Sequence, residues 1–456
     1  MADSTTLPMT YGTLAEKQRP LIPFGKEMRD KHFMLEDGFV NLNHGSFGTY
    51  VKSVRDKMRA LQDATEAAPD RYIRYEYPRL LDYSREVMAD FLGVPHDEVV
   101  YVANATTGVN AILRNLRFEP GDLIVYLGCI YGACEETIAY ITETTPAESL
   151  KLDLDFPVAD DKLVTHFCEI LERHRGKVRV ALFETVSSLP CARLPFEQLT
   201  RAARKAGVLS LIDGAHAVGH IDLDLPALQP DFFISNCHKW LFTPRGCAVL
   251  FVPKRNQHLL RSSLPTSHYF VPFTKANAPL PNNPLPPTGK SNFISQFEFV
   301  GSVDNTAFLC MPEALRFRSE VCGGEQVIMD YCYKLAYTGG CRVAQILGTE
   351  IMQDPQTHQC CMVNVRLPLE VTQSSLSSTR AGEHHSPSIS VIDVPVINQF
   401  LSSACLEHST FIAFIFLRGC WWARLSAQIY LDLEDFEYGG HVLKRVCDQI
   451  RRGTYK

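Results

Sequence analysis

The stretch VLSLIDGAHAVGHIDLDLPALQPDFFISNCHKW (residues 208–240) contains two short apolar runs, and each stops at a polar cluster. Val208–Ile212 ends at Asp213-Gly214-Ala215-His216, and Phe232–Ser235 runs into Asn236-Cys237-His238-Lys239. Runs this short, without regular polar alternation, read as strands buried on both faces, as in a parallel sheet covered by helices. In such sheets ligands sit beyond the carboxyl ends of the strands, which is where these polar residues fall.

The pattern continues outward. Val99–Val102, Leu123–Leu127, Val178–Phe183 and Ala248–Val252 are further strand candidates. Helical stretches follow or precede them at Ser53–Ala67, Pro78–Leu92, Gly132–Thr142 and Phe196–Ala206. The alternation predicts an α/β fold: a mostly parallel central sheet in a large domain over residues 36–310. A smaller α+β C-terminal domain over residues 311–456 is expected from a helical region at Pro312–Leu347, strands at Cys361–Leu367, Phe411–Leu417 and Trp422–Ser426, and a helix at Asp435–Arg451. Residues 1–35 read as an arm. Residues 262–292, rich in Pro, Asn, Ser and Thr, read as a long loop, and 371–387 as a mobile insertion whose His384-His385 pair is solvated.

Composition excludes several classes. Apolar residues make up 46% and charged residues 21% of 456 residues, an ordinary balance with ample core. The net charge of −6 gives no reason to expect a nucleic-acid partner. No apolar run is long enough to span a bilayer, and the first twenty residues do not read as a secretory signal. The 15 cysteines show no CxxC spacing, so no structural metal is expected. Together these predict a reduced, cytoplasmic enzyme without membrane contact.

Three features carry chemistry. Asp213, at a buried strand end, needs a cationic partner, and a protonated pyridine nitrogen would supply one. Lys239, behind an apolar strand and followed by Trp240-Leu241-Phe242, sits where burial and cationic neighbours lower an amine's pKa enough for it to lose its proton. Asn104-Ala105-Thr106-Thr107-Gly108, between a strand and a helix, offers backbone N–H groups and hydroxyls to a phosphate. Taken singly, each has a plainer reading: a turn carboxylate, a solvated lysine, a capped helix. Their convergence on one sheet edge points to pyridoxal 5'-phosphate, whose charged ring is an electron sink.

The series NATTGVN (104–110), DGAH (213–216) and SNCHKW (235–240) followed by FTPRGCAVL (242–250) resembles the class V aminotransferase-like group of fold-type I pyridoxal-phosphate enzymes. NLNHGSFGTY (41–50), RYIRYEYP (71–78), IYGACEET (130–137), LPTSHYF (264–270), FEFVGSVDN (297–305) and WARLSAQIYL (422–431) are similar to the fungal ergothioneine-biosynthetic lyases that cleave the C–S bond of hercynylcysteine sulfoxide. The resemblance implies that Lys239 forms the Schiff base with the cofactor and that Asp213 pairs with its pyridinium. It places His216 near the phenolic oxygen, and Ala105, Thr106, Ser235 and His238 at the phosphate. Tyr131 would cover the ring and serve the leaving group. Arg424 would clamp the substrate α-carboxylate, with Asn43, His44 and Arg74 in the substrate pocket. It also implies a homodimer with shared active sites, in which Gly301, Ser302 and Asn305 reach the partner's phosphate.

Plainer roles stay open for several of these: a packed aromatic for Tyr131, an ion pair for Arg424, and motif position alone for His44 and Arg74. Cys134 and Cys237 read as buried thiols. The implied reaction is β-elimination from a cysteine-derived sulfoxide. A cysteine desulfurase or an isopenicillin N epimerase-like enzyme is the alternative within the group, and a cofactor-free binding scaffold the alternative outside it. The loops 262–292 and 371–387 contain no cysteine, which weighs against a desulfurase that takes sulfur on a mobile thiol.

Overall fold

The computed structural model describes residues 19–275, 286, 289–352, 360–371 and 391–455. Most of the insertion expected at 371–387 and the middle of the 262–292 loop lie outside these residues.

Seven strands form the central sheet: β1 (Val99–Val102), β2 (Leu123–Leu127), β3 (Glu148–Leu152), β4 (Val178–Glu184), β5 (Leu209–Asp213), β6 (Phe232–Ser235) and β7 (Ala248–Phe251). Their spatial order is β3-β2-β4-β5-β6-β7-β1. All neighbours are parallel except β7, which runs antiparallel to both β6 and β1. The strand order reverses between β2 and β4, so connections leave those two carboxyl ends in opposite directions and open a crevice there. β1, β2, β6 and β7 are buried at every residue, as apolar runs without alternation require. β3 differs: its residues ESLKL are largely exposed, the composition of an edge strand, and apolar periodicity does not reveal it.

Beside the edge of the large sheet where its strands end lies a three-stranded antiparallel sheet: β8 (Met362–Glu370), β9 (Ala413–Leu417) and β10 (Cys420–Ser426), with β10 central. Trp421, Ala423 and Leu425 are fully buried on one face of β10, leaving Trp422 and Arg424 on the other. Two long helices, Glu325–Leu347 and Leu433–Arg451, pack on each other and on β8. They approach so closely that a Cβ on Gly339 would lie 2.3 Å from the Phe436 ring. Asp432 and Asp435 form a capping box at the start of the second helix, a feature worth about 1 kcal/mol. The N-terminal segment leans on this smaller unit. Gly25 N–H donates to Ile429 O at 2.8 Å, Arg29 pairs with Asp435 at 3.0 Å, and Val40–Asn41 adds a parallel strand to Thr410–Phe411.

The described cysteines form no disulfide, and among the described residues no helix is long and apolar enough to cross a membrane.

Candidate active site

β5 and β6 end side by side and deliver the two decisive groups. Asp213 is the last residue of β5 and is buried. Its Oδ1 accepts the Ala215 N–H at 2.9 Å and its Oδ2 the Cys134 thiol at 3.4 Å. Burial raises its pKa, opposed by the Ala215 N–H and then by the charge of Lys239. No salt bridge reaches it among the described residues, so the site presents a buried carboxylate without a cation in contact. A pyridine nitrogen carrying a proton meets that need, and the residues fit pyridoxal phosphate on this ground.

Lys239 lies on the short helix Cys237–Trp240 that follows β6, with its Nζ 3.0 Å from His216 Nε2. The donors and acceptors around His216 fix the protonation. Trp240 Nε1–H can only donate, and it donates to His216 Nδ1 at 3.2 Å. A neutral imidazole that accepts at Nδ1 carries its proton on Nε2, so it donates to Lys239. Only an uncharged amine has the lone pair to accept. Burial, followed by the Lys239 charge, draws His216 well below its usual range, and burial followed by the Arg424 guanidinium draws Lys239 down to about 8. Removing the indole donor frees Nδ1 to carry the proton, which turns Nε2 into an acceptor and favours the ammonium. Trp240→Phe should therefore shift the midpoint of the pH dependence of pyridoxal-phosphate uptake upward by about one on the pH scale, measured on apoenzyme by stopped-flow absorbance. An unmoved midpoint refutes this account of the network.

The structure brings other expected residues to this point. Tyr131 begins the helix Gly132–Thr144 beyond β2; its side chain is 52% exposed and its N–H donates to Glu184 Oε1 at 3.2 Å. Thr106 lies in the first turn of the helix Ala105–Leu113, which is capped by Asn104 accepting from Thr107 N–H at 2.8 Å. His238 gives its Nδ1 to Cys247 O at 2.9 Å, and burial lowers its pKa to about 4. Two expected phosphate donors are engaged within the fold instead. The Ala105 N–H donates to Asn236 Oδ1 at 2.8 Å, and the Ser235 hydroxyl donates to Gly214 O while accepting from Val218 N–H. In this arrangement Thr106, the helix start and the remaining His238 nitrogen are left to face a phosphate.

Arg424, from β10, reaches the same crevice and is 1% exposed. Its Nη1 donates to Ser188 O at 2.9 Å, and its Nη2 to Asn43 Oδ1 at 2.7 Å and Ser46 Oγ at 2.6 Å. Every one of these oxygens is neutral, and Nε has no hydrogen-bond partner. Asn43 is thus at the site. His44 is beneath it: wholly buried, with Nδ1 3.0 Å from the Tyr430 hydroxyl and its ring 5.2 Å from that of Trp240, it supports the lysine helix and does not face the crevice. The contact is tight, since a Cβ on Gly48 (φ 62°) would meet His238 O at 1.8 Å.

Arg74 pairs with Asp70 at 2.9 Å in the turn Tyr72–Glu76. Tyr72 and Ile73 of that turn line a cavity of 480 Å³ together with Ser302 and Asn305. Ser302 and Asn305 therefore line a second hollow, and Gly301 and Arg74 are the chain neighbours of its lining residues Ser302 and Ile73.

The sequence reading missed Glu184. It pairs in register with Asp213, is buried, and has one oxygen without a partner. Burial, followed by the Asp213 charge, pushes its pKa well up, so it is held as the neutral acid. The signal was present: β4, like β5, is an apolar run ended by a carboxylate.

A model of the Aminotransferase class-V family matches residues 70–279. The L-cysteine desulfhydrase-like protein lolT1 of Epichloe uncinata is 38% identical over 94% of this chain and 97% of its own. The chain belongs to the class-V aminotransferase family. The hercynylcysteine sulfoxide lyase of Schizosaccharomyces pombe is 29% identical over 93% of this chain and 98% of its own. In fold, this class-V member is similar to a C-DES mutant with glycine covalently linked to its pyridoxal-phosphate cofactor, with a TM-score of 0.69 at 16% identity over 90% and 96% of the two chains. It is a pyridoxal-phosphate enzyme of fold type I.

Proposed function

We propose that this enzyme is a carbon–sulfur lyase that removes the S-substituent of a cysteine-derived sulfoxide by β-elimination, and that its substrate is hercynylcysteine sulfoxide, in ergothioneine biosynthesis. One observation carries the amino-acid part of the reading: Arg424 is a buried cation with only neutral oxygens around it, close enough to Lys239 to lower its pKa. A carboxylate bound there neutralises it through charge-assisted hydrogen bonds and leaves the α-carbon near the amine.

Bound pyridoxal phosphate supplies the electron sink for the α-carbon's charge. The protein supplies the rest. Lys239, whose loss of a proton is eased by burial and by the hydrogen bond from His216, takes the α-proton as general base. Asp213, its carboxylate fixed by Cys134 and Ala215, would keep the ring nitrogen protonated. Tyr131, exposed in the crevice, would cover the ring and stand by the departing sulfur. A sulfenate carries negative charge better than a thiolate, so the leaving group needs little acid help. Burial and the Asp213 charge push the Cys134 thiol up, which makes it a hydrogen-bond donor and not a sulfur acceptor.

The second reading, L-cysteine desulfhydrase, is favoured by the name of the 38%-identical relative. Pyruvate release from hercynylcysteine sulfoxide and from cysteine separates the two. The proposal expects kcat/KM at least about tenfold higher for the sulfoxide; the reverse preference establishes the desulfhydrase. A homodimer in the cytosol, in which Gly301, Ser302 and Asn305 complete the partner's phosphate site, belongs to the same proposal and is checked by light scattering of the purified protein.

A further inference from the structure

Two buried carboxyls end neighbouring strands. Glu184 closes β4, Asp213 closes β5, and the two are paired in register. In-register neighbours in a sheet stand about 4.8 Å apart and project from the same face. Both side chains meet one turn of chain. Asp213 Oδ2 accepts the Cys134 thiol at 3.4 Å, and Glu184 Oε1 accepts the Tyr131 N–H at 3.2 Å. The Cys134 N–H returns to Tyr131 O at 2.8 Å and closes the first turn of the helix Gly132–Thr144. That helix start has no side-chain cap of its own, so these two carboxyls are what tie it to the sheet. Glu184 Oε2 is buried and has no partner.

The pair cannot both be charged. Among the described residues the charged groups that reach Glu184 are Asp213 and Lys239. The Cys129 and Cys134 thiols beside the pair are pushed up first by burial and stay uncharged. Lys239 must shed its proton to bond the cofactor. A pyridinium then supplies a single positive charge, which one carboxylate balances; a second buried anion would stand uncompensated. Asp213 has the two donors that suit a carboxylate, the Ala215 N–H and the Cys134 thiol. Glu184 has one donor, on Oε1, and Oε2 is free to carry a proton.

We propose that Glu184 is a positioning residue: as the uncharged acid it fixes the Tyr131 backbone, and so the ring-covering side chain, while leaving Asp213 as the one anion at the ring nitrogen. The inference rests on the reading of Tyr131 as the residue over the ring. A carboxylic acid meets both needs. Its carbonyl oxygen accepts from the main chain, and its proton keeps a second negative charge away from Asp213.

The test is read on the cofactor of the reconstituted holoenzyme, without substrate. Glu184→Leu puts an apolar side chain at the end of an apolar strand, and the variant should fold. It should bind pyridoxal phosphate about fivefold more weakly and lose part of the visible circular dichroism of the bound cofactor, because Tyr131 is no longer fixed. Glu184→Gln keeps the acceptor and the lack of charge, and should stay within about twofold of the parent in affinity. The pH midpoint of its visible band should match the parent's. A midpoint moved downward shows that an anion beside Lys239 has been removed and overturns the proposal, whether or not the leucine variant folds. Tyr131→Ala should also weaken binding, and in that background Glu184→Leu should add less than about twofold. A full fivefold in both backgrounds makes Glu184 a structural residue only. If Tyr131→Ala weakens binding and Glu184→Leu does not, this inference falls alone. If Tyr131→Ala changes nothing, the reading of Tyr131 falls and the inference with it.

Discussion

Borohydride treatment of the protein reconstituted with pyridoxal phosphate should fix one pyridoxyl group per chain on the peptide containing Lys239, and Lys239→Ala should abolish both the fixation and the yellow colour. Turnover in that variant should fall by at least about 10³-fold, because one substitution removes the covalent anchor and the base for the α-proton together. The geometry gives the expectation its specificity. Among the described residues no other lysine contacts His216 or has its pKa lowered by burial beside Arg424. Methylamine added to the Lys239→Ala protein should restore part of the rate, since a small amine fits the space left by the side chain and supplies the missing base. Undiminished fixation in the variant, read by peptide mass spectrometry, refutes the assignment.

Arg424→Met should separate function from stability. The guanidinium is buried among neutral oxygens, an arrangement that pays desolvation without a counter-charge. Methionine is similar in length and needs no solvation, so the variant should melt no lower than the parent and is expected to melt somewhat higher. Some of that gain is offset, because Asn43 and Ser46 lose a donor. Activity should move the other way: without the guanidinium a substrate carboxylate enters a buried site unpaired, and kcat/KM should fall about 10²–10³-fold, mainly through KM. A thermal melt and a steady-state titration on the same preparation check both directions. A variant that loses stability and activity in parallel shows that Arg424 is structural, the plainer role its sequence context left open.

Much of the large unit was legible from sequence because its strands are buried on both faces. β1, β2 and β6 begin and end where the apolar runs do, β4 and β7 differ by one residue at one end, and β5 is shifted by one residue at both. β3 was not legible, because an edge strand can afford glutamate, serine and lysine. The helices Asp160–Arg173 and Val394–Glu407 went unread as well. In the smaller unit, the run Phe411–Leu417 divides: Thr410–Phe411 pairs with the N-terminal segment and Ala413–Leu417 with β10. Pairing partners distant in sequence decide such a break, and local composition does not contain them.

At the candidate site, the placement of Asp213 at the end of β5 and of Lys239 just beyond β6 could be read because apolar runs mark where strands stop. The roles of His44 and Ser235 could not, since motif position does not say whether a polar side chain faces the crevice or the scaffold. Trp240 and Cys134 look like core residues in sequence. Only contact geometry turns them into hydrogen-bond donors for His216 and Asp213.

His220 stands between the two units. Its Nδ1 donates to the carbonyl of His216 at 2.7 Å, its Nε2 accepts the N–H of Cys361 at 2.8 Å, and its ring lies flat on Trp240 at 4.2 Å. A rocking motion of the smaller unit must therefore turn about this imidazole as a pivot, or tear it from the turn that orients the lysine's neighbour. The exposed ion pair of Arg418 with Asp155 is a contact such a motion would strain as it turned about the imidazole.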